Sequence, residues 1–320
     1  MLKKWMLNCL LLTAAVIPAF GKDLKVLMIG NSFSVCVGVS LPSIVNSVPG
    51  HSLELTSAYI AGCPLEKHAA NLKKAETDPD FKPYLITFWT SVPPLKAKKF
   101  YKGNVNELLK NNQYDVITIQ QSSGKSWNYA TYQPFAEEVI AYVRKHQPKA
   151  EIVIQQTWSY RCDHVGLQPH PKAWWKFDQT GMYERLREAY KQLAQATQFR
   201  VIPMGDAVQL FRKYTPVKFQ PEMKELKDFK YPEAPSNAGD VVGRIYWKKD
   251  PKTGEQKLIA DRIHLNPDGN YLQACLWFGF LYGEPVGKIK FAPEGMKPDL
   301  KELLQKCAQE ALDKYVQVKK

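Results

Sequence analysis

Cysteine is scarce in this chain and has no pattern. One of the six cysteines lies in the apolar first segment, and Cys36, Cys63, Cys162, Cys275 and Cys307 are scattered over the rest. An odd number leaves at least one thiol unpaired, and the spacing matches neither a disulfide scaffold nor a zinc site. The expectation is buried free cysteines, with room for one disulfide in an oxidising compartment. Long apolar runs are also missing after the first segment, so no integral membrane segment is expected there. A dense basic tract is absent too: the net charge is +13, but the lysines are spread along the chain. That fits a solubilising surface and not a nucleic-acid partner. No internal repeat and no interdomain linker is present, which leaves one domain for 320 residues.

The first segment has a composition of its own. MLKKWMLNCLLLTAAVIPAFG opens with Lys3 and Lys4, continues with an apolar stretch from Trp5 to Ile17, and ends with small residues at Ala19 and Gly21. This is the pattern of a cleavable secretory signal over residues 1–21, and it implies a secreted or periplasmic protein. The alternative is a short N-terminal anchor. Cys9 sits inside the apolar region and not at its end, so a lipoprotein anchor is not supported. Loss of the segment leaves a net charge of +11.

After residue 21, short β-rich runs alternate with helical stretches. KVLMIG at 25–30, LELTSAYI at 53–60, DVITIQ at 115–120, EIVIQQTW at 151–158 and RVIPMG at 200–205 read as five strands, several of them continuous apolar runs of the doubly buried kind. Residues 75–103 read as irregular, with YLITFWTS as a candidate hairpin strand. Residues 215–258, rich in Lys, Pro and Glu, break the rhythm. They read as an insertion over one end of the sheet, with RIYW in a hairpin. A helix from 266 ends at Gly283, and a basic helix closes the chain from about Asp299. The alternation predicts an α/β domain over residues 22–320 with a central five-stranded parallel sheet and helices on both faces.

Sheets of this kind place their sites beyond the carboxyl ends of the strands. Asn31-Ser32-Phe33-Ser34 follows the first run, Ala61-Gly62-Cys63 the second and Gln120-Gln121-Ser122-Ser123-Gly124 the third. DRIHLNPDG places Asp261 and His264 three apart just before a helix. A serine hydroxyl needs an adjacent base, which His264 can supply, and Asp261 can fix the imidazole tautomer. A developing oxyanion needs donors aimed at it. The N–H groups of Ser32 and Gly62 and a side-chain amide at Gln120 or Gln121 are the candidates, with Gln121 favoured.

This arrangement resembles the SGNH (GDSL-like) hydrolase superfamily through GNSFS at 30–34, AGC at 61–63, QQSSG at 120–124 and DRIH at 261–264. More narrowly, GNSFS, YIAGCPLEKH, YDVITIQQSSG and QQTWSY resemble a bacterial SGNH-like family classed as a domain of unknown function. The resemblance implies a three-layer, flavodoxin-like fold. It also implies Ser32 as nucleophile, Gly62 as second oxyanion donor, and Asp261 and His264 as the Asp-x-x-His pair. One departure stands out: the superfamily offers Asn in its third block, where this chain has Gln120-Gln121.

Two further residues are pocket candidates. His68 either lines the site or is an exposed helix residue, and Trp158 follows the fourth strand at the active edge. Cys162, Asp163, His164, His170 and Asp178 lie near one another, but their spacing fits no standard metal set. No metal and no cofactor is expected. The expected function is a secreted serine esterase acting on a small ester or an acylated glycan, O-acetyl groups on carbohydrate being the favoured substrate. The alternative is a non-catalytic glycan-binding or structural protein that keeps the fold.

Overall fold

The computed structural model describes residues 21–95 and 99–315. The segment read as a secretory signal lies outside the described residues except for Gly21. Strands β1 (Lys22–Gly30), β2 (His51–Tyr59), β3 (Tyr84–Thr90), β4 (Lys99–Gly103), β5 (Val116–Ile119), β6 (Glu151–Gln155) and β7 (Val201–Ile202) form one sheet in the order β4-β3-β2-β1-β5-β6-β7. The five strands β2-β1-β5-β6-β7 are parallel. Their sequence order within that set, 2-1-3-4-5, is the flavodoxin-like one. Val26, Leu27, Met28 and Ile29 of β1 are all at most 2% exposed, as a strand covered on both faces must be.

The five parallel strands are those expected, and two more extend the sheet to seven. The extra two, β3 and β4, run antiparallel beyond β2. β3 is the run read as a candidate hairpin strand, whereas β4 is Lys-Phe-Tyr-Lys-Gly, with Phe100 exposed, and falls in the stretch that reads as irregular. A short, lysine-bearing edge strand carries no apolar run to reveal it, and such composition discourages further pairing at a sheet edge.

Helices cover both faces. On one side α3 (Leu65–Thr77), α4 (Val105–Asn111) and α5 (Phe135–His146) pack together. On the other, α8 (Pro267–Tyr282) packs with α2 (Leu41–Asn46), α7 (Met204–Tyr214) and α9 (Pro298–Lys314); α6 (Gln179–Thr197) meets α7 and also, through Tyr190 against Tyr132, the turn before α5. Helix α8 is buried almost all round, every residue from Tyr271 to Tyr282 being inside, as an apolar helix without a polar face must be. Its ends are fixed by Asn266, whose side chain accepts from the Gly269 N–H, and by Gly283 in the left-handed conformation at φ 69°. Because α8 begins just after His264, that rigidity bears on the site.

The region expected as an insertion holds a chain segment with one short 3-10 turn at Leu226–Asp228, then a hairpin of β8 (Val242–Lys249) and β9 (Gln256–Leu265). The hairpin runs past residue 258, so Asp261 and His264 sit on strand β9 and not on a loop. Its period-2 pattern is hidden by lysines and by a bulge at Gly243, where φ is 89° and a Cβ would stand 3.0 Å from both the Arg161 Nε and the Asp261 carbonyl oxygen. Bulges of this kind re-aim side chains beside functional sites. The five described cysteines are all free thiols. No described helix is long and apolar enough to cross a membrane.

Candidate active site

The carboxyl ends of β1, β2, β5 and β6 bring together the turns that the sequence marks. Ser32 is the first residue of α1 (Ser32–Val35), a single turn capped by Asn31, whose Oδ1 accepts from the Phe33 N–H at 3.0 Å. Asn31 also donates from Nδ2 to the Cys63 carbonyl at 3.1 Å, tying the serine turn to the Gly62 loop. Gly62 takes φ +59°, a left-handed value that favours glycine, and is exposed. Among the described residues, the N–H groups of Ser32 and Gly62 have no partner, so both are free to meet an anion at a helix start and a turn.

His264 reaches the serine from β9. Its Nε2 lies 2.8 Å from Ser32 Oγ, and its Nδ1 lies 2.8 Å from Asp261 Oδ2. The other Asp261 oxygen accepts from the N–H groups of Ile263 at 2.9 Å and His264 at 3.0 Å. Burial alone would raise the Asp261 pKa. Hydrogen bonds from the His264 ring and from these two backbone groups outweigh it and hold the carboxyl at about 2. An ionised carboxylate only accepts, so Nδ1 carries the ring proton. In the neutral ring Nε2 is then the acceptor, and the Ser32 hydroxyl donates to it. The His264 side chain is 44% exposed and that of Asp261 30%, which leaves the imidazole open to a reactant.

The other expected site residues lie elsewhere. Gln121 is buried with its amide fully engaged: Oε1 accepts from the N–H groups of Leu65 (3.0 Å) and Ser122 (2.8 Å), and Nε2 donates to the Thr131 carbonyl (2.8 Å). It braces the loops after β2 and β5 and has no amide proton to spare at the serine. Gln120 is the one that reaches the nucleophile turn, donating from Nε2 to Asn31 Oδ1 at 2.6 Å, while its buried Oε1 has no partner. Strand alternation sends adjacent side chains to opposite faces, and Gln120 is the one whose amide reaches the Asn31 turn.

His68 is neither at the site nor exposed. It is 1% exposed, its Nδ1 lies 3.0 Å from the Tyr84 hydroxyl, and burial pushes its pKa down to about 3. Trp158 is at the active edge but completely buried, so it lines no pocket. Cys162, Asp163, His164, His170 and Asp178 form no metal cluster, and none is found among the described residues. Asp163 instead pairs with Arg161 and Arg262, and the His164 Nδ1 accepts from the Gly166 N–H.

Some supporting residues escape sequence reasoning. Gln155 and Gln273 both donate to the Phe33 carbonyl, at 2.6 and 2.9 Å, and both are fully buried. A polar residue closing an apolar strand, as Gln155 does, is a usable signal. Gln273, alone within apolar α8, is another, since a buried amide needs a partner.

The fold and the site together define an α/β protein with a serine, a histidine and an aspartate in hydrogen-bonded sequence at the carboxyl edge of a flavodoxin-like sheet. The chain belongs to the DUF4886 family, a domain of unknown function whose profile matches residues 25–220. The match takes in the Ser32, Gly62 and Gln120 turns and ends before Asp261 and His264. The crystal structure of a DUF4886 family protein from Bacteroides uniformis is similar to this chain at 25% identity, with a TM-score of 0.69, over 93% of this chain and 98% of that one. A candidate GDSL-like lipase from Parabacteroides merdae matches at 13% identity and a TM-score of 0.45, over 82% of this chain and 97% of that one. A member of the lipolytic protein G-D-S-L family from Veillonella parvula matches at 11% identity and 0.40, over 81% and 97%. A search of curated proteins finds no match.

Proposed function

We propose that this protein is an exported serine esterase of the SGNH type, with Ser32 as nucleophile, His264 as general base and acid, and Asp261 as the orienting carboxylate. The observation that carries the reading is the unbroken chain from Ser32 Oγ to His264 Nε2 and from His264 Nδ1 to Asp261 Oδ2, 2.8 Å at each step. As Ser32 Oγ attacks an ester carbonyl, its proton passes to Nε2, and the imidazolium formed is stabilised by Asp261. The oxyanion accepts from the N–H groups of Ser32 and Gly62. Collapse of the tetrahedral species breaks the bond to the leaving oxygen, which takes the proton from Nε2 and departs as the alcohol. A water, deprotonated by Nε2, then attacks the acyl carbon. Release of the carboxylic acid returns the hydroxyl proton to Ser32.

The favoured substrate is an O-acetyl group on a carbohydrate. A panel of esters tests this with purified protein. Hydrolysis of acetyl esters, including acetylated sugars, in preference to long-chain acyl esters supports both layers of the reading. Preference for long chains keeps the esterase and removes the acetyl-glycan substrate, and no hydrolysis of any ester removes the esterase. One observation favours the rival reading of a non-catalytic glycan-binding or structural protein: neither Gln120 nor Gln121 presents an amide as the usual third oxyanion donor. Retained binding of glycans together with a Ser32 that reacts with no ester would establish that rival.

A further inference from the structure

Trp158 is, with Trp277, one of the two fully buried tryptophans among the described residues, and it touches both halves of the site. It lies in the segment after β6. One face of its indole stacks on Phe33, ring centroids 4.0 Å apart and planes 16° from parallel. Its Nε1–H donates to the Ile263 carbonyl at 2.9 Å. Phe33 is bonded to Ser32, and Ile263 is bonded to His264. One rigid ring therefore contacts the immediate neighbour of each partner in the Ser32–His264 hydrogen bond.

The same segment holds β9 at two more points. The Arg161 N–H donates to the Arg262 carbonyl at 3.0 Å. Asp163 receives the guanidinium groups of Arg161 and Arg262 at 2.7 and 2.8 Å. The Phe33 carbonyl is meanwhile pinned by Gln155 and Gln273, so the side of the stack toward Ser32 does not give way. The hairpin side is held by the Trp158 bond, the Arg161 backbone bond and the Asp163 pairs.

We infer that Trp158 is a positioning residue that sets the Ser32–His264 distance by bridging Phe33 and Ile263. The inference rests on the serine-esterase reading for its kinetic consequence, though not for its geometric one. It replaces pocket lining with a different role. A pocket residue touches substrate and its loss raises KM, whereas a spacer touches none and its loss lowers kcat. Misplacing a reacting group by about 1 Å costs on the order of a hundredfold in rate.

The test is Trp158→Phe, which keeps a ring against Phe33 and deletes the donor to Ile263. The control is Trp277→Phe. Trp277 is equally buried, lies on α8, and its Nε1 has no partner. With a small acetyl ester, Trp158→Phe should lower kcat by about 10- to 100-fold with KM unchanged within about threefold. Trp277→Phe should lower the melting temperature by a similar amount and leave kcat within twofold. Phe33→Leu, which removes the other half of the stack, should move kcat in the same direction as Trp158→Phe and serves if that variant does not fold. A second readout needs no turnover: the His264 Nδ1 proton, followed by NMR, should be sharp in the unaltered protein and broadened by exchange in Trp158→Phe but not in Trp277→Phe.

A kcat within twofold of the parent with the Nδ1 proton unchanged overturns the inference, as does a raised KM at constant kcat. If the unaltered protein hydrolyses no ester, the esterase reading falls, and the spacer role is decided by the Nδ1 proton alone.

Discussion

The two halves of the site are built in different ways. The half that carries Ser32, the proposed nucleophile, is part of the sheet: Ser32 follows β1, its turn is capped by Asn31, and the buried amides of Gln120, Gln155 and Gln273 hold Asn31 and Phe33. The half that carries His264, the proposed base, is an antiparallel hairpin outside the sheet, every residue of β9 before Leu265 being at least partly exposed. It is joined to the sheet side through Trp158, Arg161 and Asp163 and, at its end, through α8. The lesson is that a serine–histidine–aspartate arrangement can be assembled with only one half inside the sheet. The second half can ride on a more exposed element, provided a few buried contacts fix its distance.

The largest effect expected from breaking this comparison is on chemistry. Ser32→Ala and His264→Ala should each lower ester hydrolysis by at least about a thousandfold, because members of such a triad act as a unit, while the melting temperature stays close to that of the parent. Activity above a few per cent in Ser32→Ala would contradict the assignment.

Next in size is the tie between the halves. Asp163→Asn leaves Arg161, whose side chain is 0% exposed, without its carboxylate. Unpairing a buried charge costs about 3–5 kcal/mol. Denaturant unfolding should show a loss in that range, and amide exchange should rise in β8 and β9 before it rises in β1 and β5. Uniform loosening of hairpin and sheet would mean that the two regions are not separable.

Smaller, and a sharper probe of the nucleophile half, is the glutamine pair. Gln121→Ala strips partners from the Leu65 and Ser122 N–H groups and should cost about 1–3 kcal/mol of stability with kcat within about threefold, since its amide does not serve the oxyanion. Gln120→Ala should act more on kcat than on stability, through the freed Asn31 cap. Stability curves and kcat for the two variants decide it; a large kcat loss in Gln121→Ala alone would show that its amide swings into the site.

A pH-dependent effect lies remote from both halves. His68 is neutral in the fold, burial lowering its pKa to about 3 from the ordinary histidine value of 6.5. The unfolded chain therefore binds a proton that the folded one refuses. Its contribution is complete above pH 6.5 and declines as pH falls toward 3, by up to about 1.4 kcal/mol per pH unit. Stability measured across that window in His68→Gln should have a shallower slope by roughly one proton; an unchanged slope would assign the acid sensitivity to other groups.

The nucleophile half was legible in the sequence for a physical reason. Continuous apolar runs such as KVLMIG and DVITIQ, alternating with helical stretches, read as doubly buried parallel strands, and the polar residues closing them then stand at the carboxyl edge. The base half was legible as a motif but not as a structure, because Asp-x-x-His carries no information about the lysine-rich hairpin that presents it. Gln121 was misplaced since alternation separates two adjacent side chains without saying which reaches the Asn31 turn. His68 and Trp158 were drawn toward the site by closeness in sequence to its turns, yet burial took both out of reach of any reactant. Strand β3 was legible as a candidate hairpin strand, whereas β4 was hidden by the polar composition that an edge tolerates.

The central claim is that Ser32 is an activated nucleophile, and a fluorophosphonate tests it most directly, since covalent capture requires a serine hydroxyl with a working base. Native protein treated with the reagent and mapped by mass spectrometry should carry one adduct, on Ser32, formed far more slowly in His264→Ala and absent in Ser32→Ala. A folded protein that forms no adduct, or forms one on another serine at an equal rate, would contradict the account.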